Sequence, residues 1–446
     1  MDTPHAVQPV AVSLRSVIAI ALPMTFAHLA TPLIGLTDVA VIGQTGSAAL
    51  IGAVALGALL FAFMGSSLNF LRMGTTALVA QALGARDPAA EQAALLRALV
   101  FAAALGAIIL ALQDPIATLF LFAMDPSEAV ASATRRYWTV RVWAVPFMLL
   151  NYAMVGWLLG LGRAGTALLL QLLLSLVNIL GSVALGLWLD LGLFGIALAS
   201  VLAEVVLFIA GMSIVVARLR RGARPSLGAV FERAGFLKNL SVNGDIMVRS
   251  LILMCVFSTF SAVGARFGDL TLAANALLMN LFLLTAHVLD GLAAAAEQLG
   301  GKAVGARGPL AFRRTVRLTL VVGVFVGLAI GALWFHAGPI VLGFLTTAED
   351  VRAEAMQFLI WSALIPLPGA LAFVMDGIFI GATWTRALRN MMVASTLAIL
   401  VAWAVLIPAF GNHGLWAGLA LWLALRGATL AALLPSEIGR TFPTAR

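Results

Sequence analysis

The side chains with chemistry to offer in this chain are ionisable groups set inside long apolar runs. Such a group costs at least a few kcal/mol at mid-bilayer and usually faces a protein interior or a water-filled cavity. Asp38 lies in the stretch ATPLIGLTDVAVIG, six residues after Pro32 and three after Gly35. A proline inside a helix removes one backbone hydrogen bond and invites a bend. Desolvation favours a neutral carboxyl and hydration favours the anion, so an acid beside a bend suits a protonation switch. A structural hydrogen-bond acceptor is the competing reading of Asp38. Glu204, Asp290 and Asp376 lie in later apolar runs without a local basic partner, and Arg141 and Arg426 are available to neutralise some of them across helices. Asp245 and Arg249 are spaced i,i+4 and are expected to pair on one helix face.

Other chemistry is missing. GGKA at 300–303 lacks the spacing and hydroxyl of a phosphate loop, so energy must come from an ion gradient or another subunit. No HExxH, GxSxG or paired-cysteine pattern occurs, and His5, His28, His287, His336 and His413 are scattered. Neither an intramembrane enzyme nor a metal or organic cofactor is expected. The single cysteine, Cys255, permits no internal disulfide and is expected to serve packing.

The elements that position these acids follow from composition. Of 446 residues, 62% are apolar and 10% charged, with a mean hydropathy of +1.06. Soluble domains run at about 45–50% apolar and about 25% charged, so the chain is expected to be an all-α integral membrane protein. Breaks at charge clusters and Gly/Pro/Asn turns predict twelve spans, at 16–42, 48–71, 92–112, 133–157, 166–189, 193–217, 240–265, 270–298, 315–338, 353–383, 388–409 and 413–435. Placing the N-terminus inside puts 20 of the 27 Lys and Arg residues on the cytoplasmic side. Both termini are therefore expected in the cytoplasm. The Arg-rich stretch 218–239 reads as a cytoplasmic linker between an N-lobe, 1–217, and a C-lobe, 240–446. Topology explains the net charge of +8 without a nucleic-acid partner.

The chain also repeats itself. QALGARD at 81–87 recurs as KAVGARG at 302–308, and GWLLG at 156–160 as GIFIG at 377–381, both at an offset of 221. GLFGIAL at 192–198 resembles GNHGLWA at 411–417, at an offset of 219. Six spans per copy give both halves the same orientation, an arrangement used by alternating-access carriers. At offset 221 Asp38 falls on Thr259, Asp290 on Asn69 and Asp376 on Val155, so the halves share a frame but not their acids.

Two pseudo-symmetric six-helix bundles, LTDVAVIG in the first span, QALGARD after the second, GWLLG after the fourth and GLFGIALAS in the sixth together resemble the multidrug and toxic compound extrusion (MATE) family. DIMVRS at 245–250 and MDGIFIGAT at 375–383 are most similar to its DinF branch. The resemblance covers essentially the whole chain and implies a secondary antiporter of a bacterial inner membrane, not an enzyme. Its members export amphipathic, often cationic compounds in exchange for H⁺ or Na⁺ by alternating between outward- and inward-open forms. It further implies an N-lobe hydrogen-bond network of Asp38, Asn178 and Ser200. Many relatives have a second aspartate four residues after the asparagine; Ser182 stands there and holds no charge, which favours H⁺ over Na⁺. C-lobe acids matter in the Na⁺-coupled branch, and Asp290 and Asp376 keep that alternative open. A lipid-linked oligosaccharide flippase of the same superfamily is the other alternative; such proteins commonly have fourteen spans and a strongly cationic cavity. A monomer in the lipid bilayer is expected, with protonation of Asp38 bending the first helix at Pro32.

Overall fold

The computed structural model describes residues 11–44, 47–221 and 227–443. Positions 222–226 of the expected linker, with Arg224, and Arg446 lie outside the described residues. Among the described residues there is no strand. The helices are α1 (Leu14–Gly43), α2 (Ala48–Leu68), α3 (Phe70–Gly84), α4 (Pro88–Ala111), α5 (Gln113–Met124), α6 (Glu128–Arg141), α7 (Ala144–Gly160), α8 (Ala164–Val183) and α9 (Gly192–Arg221). They continue as α10 (Leu227–Val230), α11 (Arg233–Gly264), α12 (Asp269–Gly305), α13 (Pro309–Leu345), α14 (Glu349–Leu364), α15 (Pro366–Gly381) and α16 (Thr385–Thr441).

Nine of the described helical stretches are long and apolar enough to cross a membrane, and counting the bent pairs α6–α7 (51°) and α14–α15 (45°) as one span each brings the total to eleven. The 57 residues of α16 cannot be one crossing, because a bilayer core takes about 20. Gly411 breaks it, with φ +54° and ψ −131° inside the run. Division there yields the twelve crossings expected. Large apolar side chains face outward, among them Phe344 at 87% and Phe122 at 84% exposure, as a lipid-facing surface requires.

The fourth and tenth spans, expected as single helices, are broken. Pro146 and Pro366 each lack the N–H that would carry the preceding helix onward, and each sits in the first turn of the following helix, where proline is accommodated. The second span runs on to Gly84 past an irregularity at Asn69. Cys255 is exposed on α11.

The duplication is written in the backbone. Three pairs of residues with positive φ stand at offset 221: Arg86 (56°) with Arg307 (50°), Gly162 (75°) with Thr383 (58°), and Asp190 (50°) with Gly411 (54°). These are the turns after α3, α7 and the π turn Ala184–Trp188 in one copy, and after α12 and α15 and within α16 in the other. The repeated glycines have repeated reasons. A Cβ on Gly156 or Gly160 would collide with the Arg72 and Thr76 carbonyls of α3; a Cβ on Gly377 or Gly381 would collide with the Ala293 and Glu297 carbonyls of α12. Small residues let helix backbones approach this closely.

The chain divides into two compact units. One comprises the described residues of Met1–Thr25, Ala80–Arg86 and Gly244–Arg446; the other comprises those of Phe26–Val79 and Asp87–Asn243. The first has a core of Phe260, Trp403, Trp416 and Trp422, in which Asn275 and Asn412 exchange amide hydrogen bonds of 2.8 and 2.9 Å. The second packs Val41, Ile42, Val54 and Tyr137 around the C-terminal half of α1.

Candidate functional site

Asp38 is fully buried on α1, six residues beyond Pro32, through which the helix runs on. It is not the solitary acid that the sequence suggests. Ser182 Oγ, in the last turn of α8, donates to its Oδ1 at 2.7 Å, and Arg141 Nη1 donates to Oδ2 at 3.2 Å. Arg141 ends α6 at the bend of the fourth span. The outward-pointing carbonyls of a helix C-terminus favour a cation there. The same Nη1 donates to Tyr137 Oη one turn earlier, and the guanidinium carbon lies 4.5 Å from the centre of the Phe61 ring. An aromatic face at that distance stabilises a cation.

Asn178 and Ser200 form a second, separate pair, Asn178 Nδ2 donating to Ser200 Oγ at 2.9 Å. Asn178 Oδ1 is buried without a partner. Glu204, one turn beyond Ser200 on α9, accepts from Asn151 Nδ2 at 2.6 Å. A cavity of about 60 Å³ joins the two groups, with Arg141, Asn178, Ser200 and Glu204 among its walls beside Phe61 and Met148. That is room for a few waters.

The other unit holds a different charged centre. Asp376 on α15 is clasped by two arginines: Arg249 donates from Nε at 3.0 Å and from Nη2, and Arg426 donates from Nε at 3.3 Å and from Nη2. Asp290 on α12 adds its field at Arg426. The expected Asp245–Arg249 pair does not form. Asp245 instead accepts from Arg389 Nη1 at 2.6 Å and Thr385 Oγ1 at 2.9 Å, both on α16. Helix spacing allowed the pair, but each buried partner is better satisfied by a side chain from a neighbouring helix.

The single network expected of Asp38, Asn178, Ser182 and Ser200 is divided into two pairs, Asp38 with Ser182 and Asn178 with Ser200. Sequence reasoning missed Tyr137, Phe61 and Asn151. Tyr137 was findable, because it precedes Arg141 by one helical turn; Phe61 and Asn151 give no signal in an apolar run. It also passed over Glu91, buried on α4, which accepts from Trp157 Nε1 and faces Arg218 Nη2, both at 3.4 Å.

Comparison with known proteins supplies the context. The MatE family model matches residues 23–184 and 246–405, one block in each copy of the repeat. The chain is 37% identical to DNA damage-inducible protein F of Escherichia coli K12 over 93% of this chain and 90% of that one. It is 26% identical to the chloroplastic Protein DETOXIFICATION 44 of Arabidopsis thaliana, covering 92% and 80%. A multidrug resistance MATE family transporter solved in an outward-facing conformation shares the fold, with a TM-score of 0.87 at 19% identity over 97% of each chain.

Proposed function

The chain belongs to the MatE family of multidrug and toxin efflux transporters, and from that membership we propose that it is a proton-coupled antiporter of amphipathic or cationic compounds, with Asp38 as the coupling acid. The observation that carries this is the company Asp38 keeps. Its two oxygens are taken by a neutral hydroxyl, Ser182, and by a side-chain cation, Arg141. A guanidinium where a metal cation would sit leaves the carboxylate little to offer Na⁺, whereas a proton needs only one lone pair.

In this reading ionised Asp38 is held by Arg141 and Ser182. Protonation dissolves the ion pair, because a neutral carboxyl no longer repays the desolvation of a guanidinium. Pro32, which has no N–H to donate along the helix, gives α1 a place to bend as Asp38 is released. The cavity beside it then contracts and substrate leaves. The six-span lobes 1–217 and 240–446 supply the frame for alternating access, in a bacterial inner membrane with both termini cytoplasmic and the protein acting as a monomer without a cofactor. Asp38→Asn is expected to abolish export of a fluorescent cation against its gradient in proteoliposomes; export at the wild-type rate would overturn the assignment.

A further inference from the structure

Resting on the reading of Asp38 as the proton site, we propose that Arg141 is an exchangeable internal cation passed from Asp38 to Glu204 on protonation, and that Glu204 anchors the positive group of a cationic substrate. Arg141 and Glu204 line one cavity, and Arg141 acts electrostatically on Glu204. Among the described residues no ion pair reaches the Glu204 carboxylate, whose Oε2 is met by the neutral Asn151 amide. One guanidinium thus serves two acids in a poorly hydrated space, where an uncompensated charge is costly.

The geometry supplies both ends of the exchange. Arg141 holds Asp38 through Nη1 alone, and its Nε is buried without a partner. It is the last residue of α6, at the 51° bend between α6 and α7. Phe61 lies under the guanidinium and also lines the cavity, so its ring face serves the cation in transit. Among the described residues, the other ionisable groups around the two acids are Tyr137 beside Arg141 and Asp38, and Tyr152 near Glu204 with Arg72 behind it. Neither tyrosine supplies a cation, and Arg72 is committed to Asn69 through Nε at 2.8 Å.

The charge balance follows. With Asp38 ionised, Arg141 neutralises it and Glu204 is left to attract a cation. Phe61 and Met148 offer an apolar wall to the rest of an amphipathic molecule, and they must part to admit it, since about 60 Å³ holds only water. When Asp38 takes a proton, Arg141 moves to Glu204 and displaces the substrate's positive charge. One proton replaces one positive charge, so exchange of a monocation is electroneutral.

The test uses the full chain, purified and in proteoliposomes. The probes are tetraphenylphosphonium, a permanent monocation, and triphenylphosphine oxide, its neutral analogue. Wild-type protein is expected to bind tetraphenylphosphonium at least tenfold more weakly at pH 5.5 than at pH 8. At pH 8, Glu204→Gln is expected to weaken tetraphenylphosphonium at least tenfold while leaving triphenylphosphine oxide unchanged, which also reports an intact fold, and Glu204→Asp to recover part of the loss. Arg141→Gln is expected to abolish the acid-induced weakening. Wild-type affinity in Glu204→Gln, or tetraphenylphosphonium export that carries net charge, overturns the exchange. The proton reading fails separately, when a pH gradient does not drive export by wild-type protein. If such a gradient drives wild type and Glu204→Gln alike, with equal affinity, the exchange alone fails.

Discussion

The two halves of this transporter show how one backbone frame carries two electrostatic designs. Repeated turns and repeated glycine contacts at offset 221 make the halves copies. Yet the charged residues of each centre have no counterpart in the other. Asp38, Arg141 and Glu204 fall on Thr259, Ser362 and Leu425, while Arg249, Asp376 and Arg426 fall on His28, Val155 and Val205. In one centre a single arginine holds one acid beside a small cavity that a second acid, Glu204, also lines. In the other, two arginines close on one acid from both sides. The proposed proton coupling assigns cation exchange to the first arrangement, while the second is a clasp of two arginines on one acid.

The largest expected effect separates these designs. Asp376→Asn leaves two buried guanidiniums without their carboxylate, and breaking a buried pair costs about 3–5 kcal/mol. A thermal melt in detergent is expected to fall steeply for Asp376→Asn and much less for Asp38→Asn, which is expected to lose export while staying folded. Equal falls in melting temperature would erase the distinction between the centres.

Smaller effects test the shared frame. Gly156→Leu and Gly377→Leu each drive a side chain into a backbone carbonyl of the facing helix, Arg72 of α3 or Ala293 of α12, at a destabilisation of about 1–3 kcal/mol. The two are expected to melt alike, because the contact is the same in both copies. A large difference would mean that the glycines serve different ends. Ser182→Ala removes one 2.7 Å hydrogen bond to Asp38 and is expected to cost about 1 kcal/mol, with export retained because Arg141 still holds the carboxylate.

The frame was legible in the sequence because helix packing leaves local marks. GWLLG and GIFIG stand where backbones touch, and QALGARD and KAVGARG carry the positive-φ turns at Arg86 and Arg307. The bends in the fourth and tenth spans were less legible. Pro146 and Pro366 stood in view, but a proline early in an apolar run marks the start of a helix as readily as a break within one. Ion pairing was least legible, since a partner reached across helices leaves no spacing to read. Arg141 reaches Asp38 over 103 positions and Arg249 reaches Asp376 over 127, while the local pair Asp245 and Arg249 stays apart.

In the proposed mechanism Asp38, held by the Arg141 side chain, couples export to protons. The most direct measurement is export of a fluorescent cation in proteoliposomes under separately imposed pH and Na⁺ gradients, with wild-type protein and Asp38→Asn side by side. The account predicts that the pH gradient alone drives wild-type export, that the Na⁺ gradient alone does not, and that Asp38→Asn responds to neither. Export driven by Na⁺ at uniform pH and undiminished in Asp38→Asn would contradict it.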